Sequence, residues 1–223
     1  MSIFTEFFPT TLYEISSGFS GPIRVLNFRG EKRLMIGGLV QSISLDRPPF
    51  AHKVWGWLAR FPLAKRKDSS VLILGLGGGT VARILAETLK PKKITGVEID
   101  PVVVEIGQRF FDFKKIRNLQ LVVADARESV KKDNSVYDFI VVDTYQGDKF
   151  PSSLESKAFL TKLKSLLAQS GVLVFNRIFL SHRPAPRLSF IRRLESVFSK
   201  VQEEVVAGPS DAKNYLYWIL PGN

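Results

Sequence analysis

Four apolar residues, Val71 to Leu74, run directly into a glycine cluster, Gly75-Leu-Gly-Gly-Gly-Thr80, and a second apolar run ends about twenty residues later on Glu98. This order of strand, glycine turn, helix and acid-ended strand is the layout of a nucleotide-binding βαβ unit. Gly75, Gly77, Gly78 and Gly79 lack a Cβ, so the backbone can turn tightly there and a ligand can approach it. A carboxylate at the end of the second strand can accept hydrogen bonds from both hydroxyls of a ribose.

The pattern continues along the chain. Strands are expected near 94–98, 119–124, 138–143 and 171–176, alternating with helices near 80–89, 101–111, 126–131, 154–167 and 186–198. Pro101 suits a first helical position, with Asp100 as its cap. The runs 71–75, 138–142 and 171–175 are almost continuously apolar, as strands buried on both faces are. Two closing runs, 201–206 and 214–220, have no helix between them. Five βα units followed by two strands define a Rossmann-like seven-stranded sheet of the SAM-methyltransferase type, an α/β fold.

The first fifty residues differ. Short, partly alternating runs at 11–18, 22–28, 32–36 and 39–45 are separated by Gly18, Gly21, Arg29-Gly30 and Gly37-Gly38. They predict a small N-terminal antiparallel β-sheet that must pack on the larger α/β unit to be stable. The expected division is residues 1–49 for this sheet and 50–223 for the nucleotide-binding unit, with a helix from Phe50 to Leu63 leading in.

Composition narrows the chemistry. The chain has no cysteine and two histidines, which excludes a disulfide scaffold and a thiolate zinc site and points to no metal. No apolar run reaches the ~20 residues of a membrane span, and the early Glu6 does not suit a signal peptide, so a cytoplasmic, non-membrane protein is expected. The net charge of +11 is uneven. Residues 1–70 and 151–223 each carry 10 Lys/Arg against 5 Asp/Glu, whereas 71–150 carry 12 against 11. Such flanks allow an anionic partner.

Each predicted strand end offers a polar group: the glycine loop, then Glu98, Asp125 and Asp143. Three acids at successive strand ends are costly unless wet or paired, so they point to a ligand rich in donors. Glu98 suits a ribose, Asp125 an adenine amino group, and Asp143 a cation at the reacting centre. No basic residue interrupts the glycine loop, which favours a sulfonium nucleoside over a phosphate-bearing cofactor.

These motifs resemble the spermidine synthase (polyamine aminopropyltransferase) family. The resemblance runs from Ser16-Ser-Gly-Phe-Ser-Gly-Pro through Leu39-Val-Gln41-Ser, the glycine loop, Val97-Glu-Ile-Asp-Pro and Ala124-Asp-Ala126 to Tyr137-Asp-Phe-Ile-Val-Val-Asp143. It implies transfer of an aminopropyl group from decarboxylated S-adenosylmethionine to a small amine, and a homodimer. It places Gln41, Glu98, Asp125 and Ala126 at the donor and Asp143 as the catalytic base, with Gln146 and His52 on the acceptor side; Tyr145 is a further candidate there, or a residue that shields the loop. Two features depart from the family. Gln146 stands where a second aspartate is usual, with Asp148 out of register, and His52-Lys53-Val54 lacks the usual carboxylate. An acceptor other than putrescine is therefore expected. Two alternatives stay open: a methyltransferase using intact S-adenosylmethionine, and a non-catalytic nucleoside- or polyamine-binding module.

Overall fold

The computed structural model describes residues 8–46, 54–59, 68–147, 149–206 and 211–220. Four strands open the fold: β1 (Thr10–Ser17), β2 (Gly21–Phe28), β3 (Glu31–Ile36) and β4 (Leu39–Ile43). They form an antiparallel meander in the order β1-β2-β3-β4. Two of its turns carry two successive positive φ angles, 53° and 83° at Arg29-Gly30 and 59° and 80° at Gly37-Gly38. That geometry matches the right-handed twist of the strands it joins.

Helix α1 (Val54–Leu58) leads to the second sheet; the rest of the helix expected over 50–63 lies outside the described residues. The elements after it are β5 (Ser70–Leu74), α2 (Thr80–Thr88), β6 (Lys93–Glu98), α3 (Pro101–Phe110), β7 (Leu119–Val123), α4 (Ala126–Lys132), β8 (Tyr137–Val142), α5 (Lys157–Leu166), β9 (Leu167–Leu180), α6 (Pro184–Glu195), β10 (Val201–Val206) and β11 (Ala212–Ile219). Their sheet runs β10-β11-β9-β8-β5-β6-β7. Strand β11 is antiparallel to both of its neighbours, and the remaining pairs are parallel. The strand order reverses at β5, which pairs with β6 on one side and β8 on the other. A ligand crevice forms at such a switch point, beyond the carboxyl ends of the strands.

The α/β sheet and the small antiparallel sheet stand as expected. Two boundaries differ. The expected helix over 154–167 splits into a 3-10 turn, Ser152–Glu155, and α5, because the Ser156 hydroxyl accepts from Phe159 N and caps a new start. Strand β9 extends past 171–176 at both ends: Leu167 pairs with Tyr137 of β8, and β11 pairs with it from Ile219↔Leu173 to Ala212↔Leu180. A partner strand thirty residues away leaves no local signal in the run it extends.

Alternation along the central strands divides the core. Val71, Ile73, Phe139, Val141, Val172 and Val174 pack on one face, with Ile23, Val25, Leu34 and Ile36 of the N-terminal sheet in the same cluster. Leu72, Leu74, Ile140, Val142, Leu173 and Phe175 pack on the other, against α5 and α6. Both faces are buried, which accounts for the continuous apolar runs.

Asp100 fastens the two sheets together. Its Oδ1 accepts from Val102 N and caps α3, as Asp-Pro predicts. Its Oδ2 accepts from the hydroxyls of Ser17 at 2.6 Å and Ser20 at 2.5 Å, at the turn between β1 and β2.

Candidate active site

The glycine loop threads a narrow gap. Gly75 has φ +85°, and its N–H donates to Val97 O at 3.0 Å. A Cβ there would lie 2.2 Å from the carbonyl oxygen of Asp143. Gly77, at φ +54°, donates its N–H to Glu98 Oε2 at 2.8 Å. Both line the cleft. Gly78 and Gly79, expected at the donor, are not among its lining residues. Gly78 N donates to Ser42 Oγ at 2.8 Å, and Gly79 begins α2 against the Phe113 ring, 2.7 Å from where a Cβ would stand. Those two glycines admit β4 and an aromatic ring, a packing role that a sequence motif does not separate from ligand contact. Thr80 completes the seam, exchanging hydrogen bonds with the Ile43 backbone.

Glu98 closes β6. Its carboxylate shapes the loop, with Oε1 accepting from Asp100 N at 3.2 Å and Oε2 from Gly77. Burial pushes its pKa above the usual value, and the backbone donors of Gly77, Asp100 and Ile99 pull it back. Asp125 does double duty. Its Oδ1 accepts from Arg127 N at 2.6 Å and caps α4, while the residue, with Ala124 and Ala126, also lines the cleft. The strand-end acid expected purely as a ligand contact is thus a helix cap as well. Among the described residues only Oδ1 is used.

Asp143 comes directly after β8. Its backbone N–H continues the ladder to Leu74 O, and its Oδ1 accepts from Asn176 Nδ2 at 2.8 Å. Burial pushes its carboxyl up to about 6, against the lowering effect of the Asn176 hydrogen bond. Sequence reasoning does not single out Asn176, on β9. Its only signal is a polar residue ending an apolar strand. Its Oδ1 and the Thr144 hydroxyl are buried without partners among the described residues.

The segment after Asp143 folds back as a small turn, with Gln146 and Lys149 exchanging backbone hydrogen bonds around Gly147. Gln41 Nε2 donates to Gly147 O at 3.2 Å, docking this turn on the N-terminal sheet. Gln41, Tyr145 and Gln146 all line the cleft. The Tyr145 hydroxyl accepts from Ile178 N at 2.6 Å. Burial raises the phenol pKa, with the nearby Arg177 opposing. Arg177 is a second residue missed from sequence. It is buried, ion-paired to Glu155 and stacked 4.0 Å over the Phe150 ring. It thereby ties β9 to the 3-10 turn whose Ser153 and Leu154 face the cleft. His52, Lys53 and Asp148 lie outside the described residues. Trp55, buried in the core, also lines the cleft.

The cleft encloses about 280 Å³. Glu98 and Asp125 stand at the ends of neighbouring strands β6 and β7, and Asp143 stands across β5 from them. A profile of the spermine/spermidine synthase domain matches residues 54–219, well over half the chain. The chain belongs to the spermine/spermidine synthase domain family. Within that family it is 42% identical over 113 residues to a polyamine aminopropyltransferase of Vibrio vulnificus, covering 49% of this chain and 38% of that protein. It is 29% identical over 191 residues to the polyamine aminopropyltransferase of Chromobacterium violaceum, covering 83% and 68%. This family member therefore spans well under two thirds of the length of the Vibrio relative. A probable spermidine synthase from Corynebacterium glutamicum has the same fold, with a TM-score of 0.79 at 20% identity over 97% of this chain and 81% of that one.

Proposed function

We propose that this protein transfers an aminopropyl group from decarboxylated S-adenosylmethionine to an amine other than putrescine. One observation carries the reading. Of the carboxylates lining the described cleft, Glu98 and Asp125 sit at the β6–β7 end, Asp143 sits alone at the β8 end, and Gln146 beside it is neutral. One carboxylate balances one ammonium; a diamine would bring a second charge with no counterpart among the described residues that line that end.

The residues divide the work. Gly75 and Gly77 let the donor approach the backbone. Glu98 has lone pairs left for the ribose hydroxyls, and Asp125 keeps Oδ2 for the base. The unpartnered Thr144 hydroxyl in the lining suits a polar ligand. Asp143 holds the ammonium and takes its proton. Burial makes it a stronger base than an exposed carboxylate, and Asn176 fixes one oxygen so that the other meets the amine. The freed nitrogen pair then forms the new C–N bond. The C–S bond breaks with its electrons on sulfur, which leaves as neutral methylthioadenosine. Alignment of nitrogen, carbon and sulfur supplies much of the rate.

A neutral Gln146 also accommodates the carboxylate of intact S-adenosylmethionine, so methyl transfer is the second reading. Purified protein incubated with each donor and a panel of mono- and diamines, read by mass spectrometry, separates them. Addition of an aminopropyl mass to a monoamine in preference to putrescine is expected. Transfer only from intact S-adenosylmethionine, as a methyl group, would establish the second reading. Tight binding of either donor with no product from any amine would reduce the protein to a binding module.

A further inference from the structure

Phe19 is a large aromatic side chain left 55% exposed at the tip of the β1–β2 turn, where it lines the cleft. Isolated exposed aromatics are ordinary on protein surfaces. This one is held in place on a fixed frame. Ser17 and Ser20, on either side of it, both donate to Asp100 Oδ2, and Phe19 N donates to Ser17 Oγ at 3.1 Å. Asp100 N in turn donates to Glu98 Oε1. A continuous hydrogen-bonded path thus runs from the Phe19 backbone to the carboxylate assigned to the ribose. The turn cannot shift without breaking bonds to a buried acid. An aromatic ring carried on a fixed backbone at the cleft, with over half its surface exposed, can take a flat apolar partner.

We infer that Phe19 packs on the adenosyl group of the donor, so that the N-terminal sheet supplies one wall of the nucleoside site and Asp100 sets that wall in register with Glu98. This deepens the donor reading above and rests on it. The α/β sheet alone then holds only the ribose and base edges, and the base gains a hydrophobic cover from a separate layer. Removing an aromatic platform from a stacked base typically weakens binding by about tenfold or more.

Calorimetric titration with 5′-methylthioadenosine tests the assignment on the intact chain. Phe19→Ala should bind about tenfold more weakly than wild type, with an unchanged melting temperature because the ring is half exposed. Phe19→Trp should retain affinity, and its fluorescence should respond to the nucleoside. Equal affinity of wild type and Phe19→Ala overturns the inference and leaves the donor reading standing. The inference also fails if Phe19→Ala alters only the oligomeric state, since the ring would then be covered by a second copy. A wild type that binds neither methylthioadenosine nor either sulfonium donor overturns both readings.

Discussion

Asn176 Nδ2 donates to Asp143 Oδ1 at 2.8 Å across the neighbouring strands β8 and β9, and among the described residues it is the one side-chain donor that holds the proposed base. Burial raises the Asp143 pKa from 3.8 to about 6. Between those values the folded chain keeps a proton that the unfolded chain has lost. Asp143 therefore lowers stability progressively as pH rises through that window, and the full cost, on the order of 2–3 kcal/mol, applies above it. Asp143→Asn should be more stable than wild type above pH 6 and gain little near pH 4, measured by urea denaturation. A stability difference independent of pH would refute the burial argument. Activity should fall below about pH 6, and Asn176→Leu should move that limb upward.

Gly75 has no tolerable replacement. Alanine there meets both a positive φ and the Asp143 carbonyl at 2.2 Å. We expect Gly75→Ala to cost more than about 3 kcal/mol, because the obstacle is backbone and cannot rotate away. An unchanged denaturation midpoint would show that the loop is free to move.

Asp100→Ala removes a helix cap and two hydroxyl partners at once. Ser17 is 8% exposed and would be left with an unmatched buried hydroxyl. A loss of about 2–4 kcal/mol is expected. Hydrogen exchange should show the extra opening at β1 and β2 rather than in the central sheet.

Arg177→Met separates stability from acceptor binding. Among the described residues Glu155 would keep only Arg193, whose side chain is half exposed, at a cost of about 2–3 kcal/mol. Arg177 also stacks on Phe150, whose ring meets that of Tyr145 at 5.7 Å, so its loss should disturb the proposed acceptor side and raise the acceptor KM while methylthioadenosine affinity stays unchanged. Arg177→Met with Glu155→Leu should recover part of the stability. Equal weakening of both ligands would contradict a role confined to one wall.

Gln146→Asp restores a second negative charge beside Asp143. Diamine binding should strengthen by roughly tenfold relative to a monoamine, and the gain should shrink with added salt. No change in the ratio would place the second ammonium elsewhere.

Much of this site is written in order along the chain. The apolar runs 71–74, 139–142 and 172–175, the glycine loop and the strand-end acids Glu98, Asp125 and Asp143 determine an α/β sheet with acids at the carboxyl ends of its strands, because strand burial and tight turns depend on neighbours in sequence. Tertiary structure decided which of these residues face the crevice. It set Gly78 and Gly79 against Ser42 and Phe113, and made Asp125 a cap as well as a lining residue. It also brought Asn176 to Asp143, Arg177 to Glu155 and Ser17 to Asp100 across 33, 22 and 83 residues. Such pairs carry no periodicity, since each partner is chosen by strand order and packing, and a hydrogen bond leaves no trace in the residues between its ends.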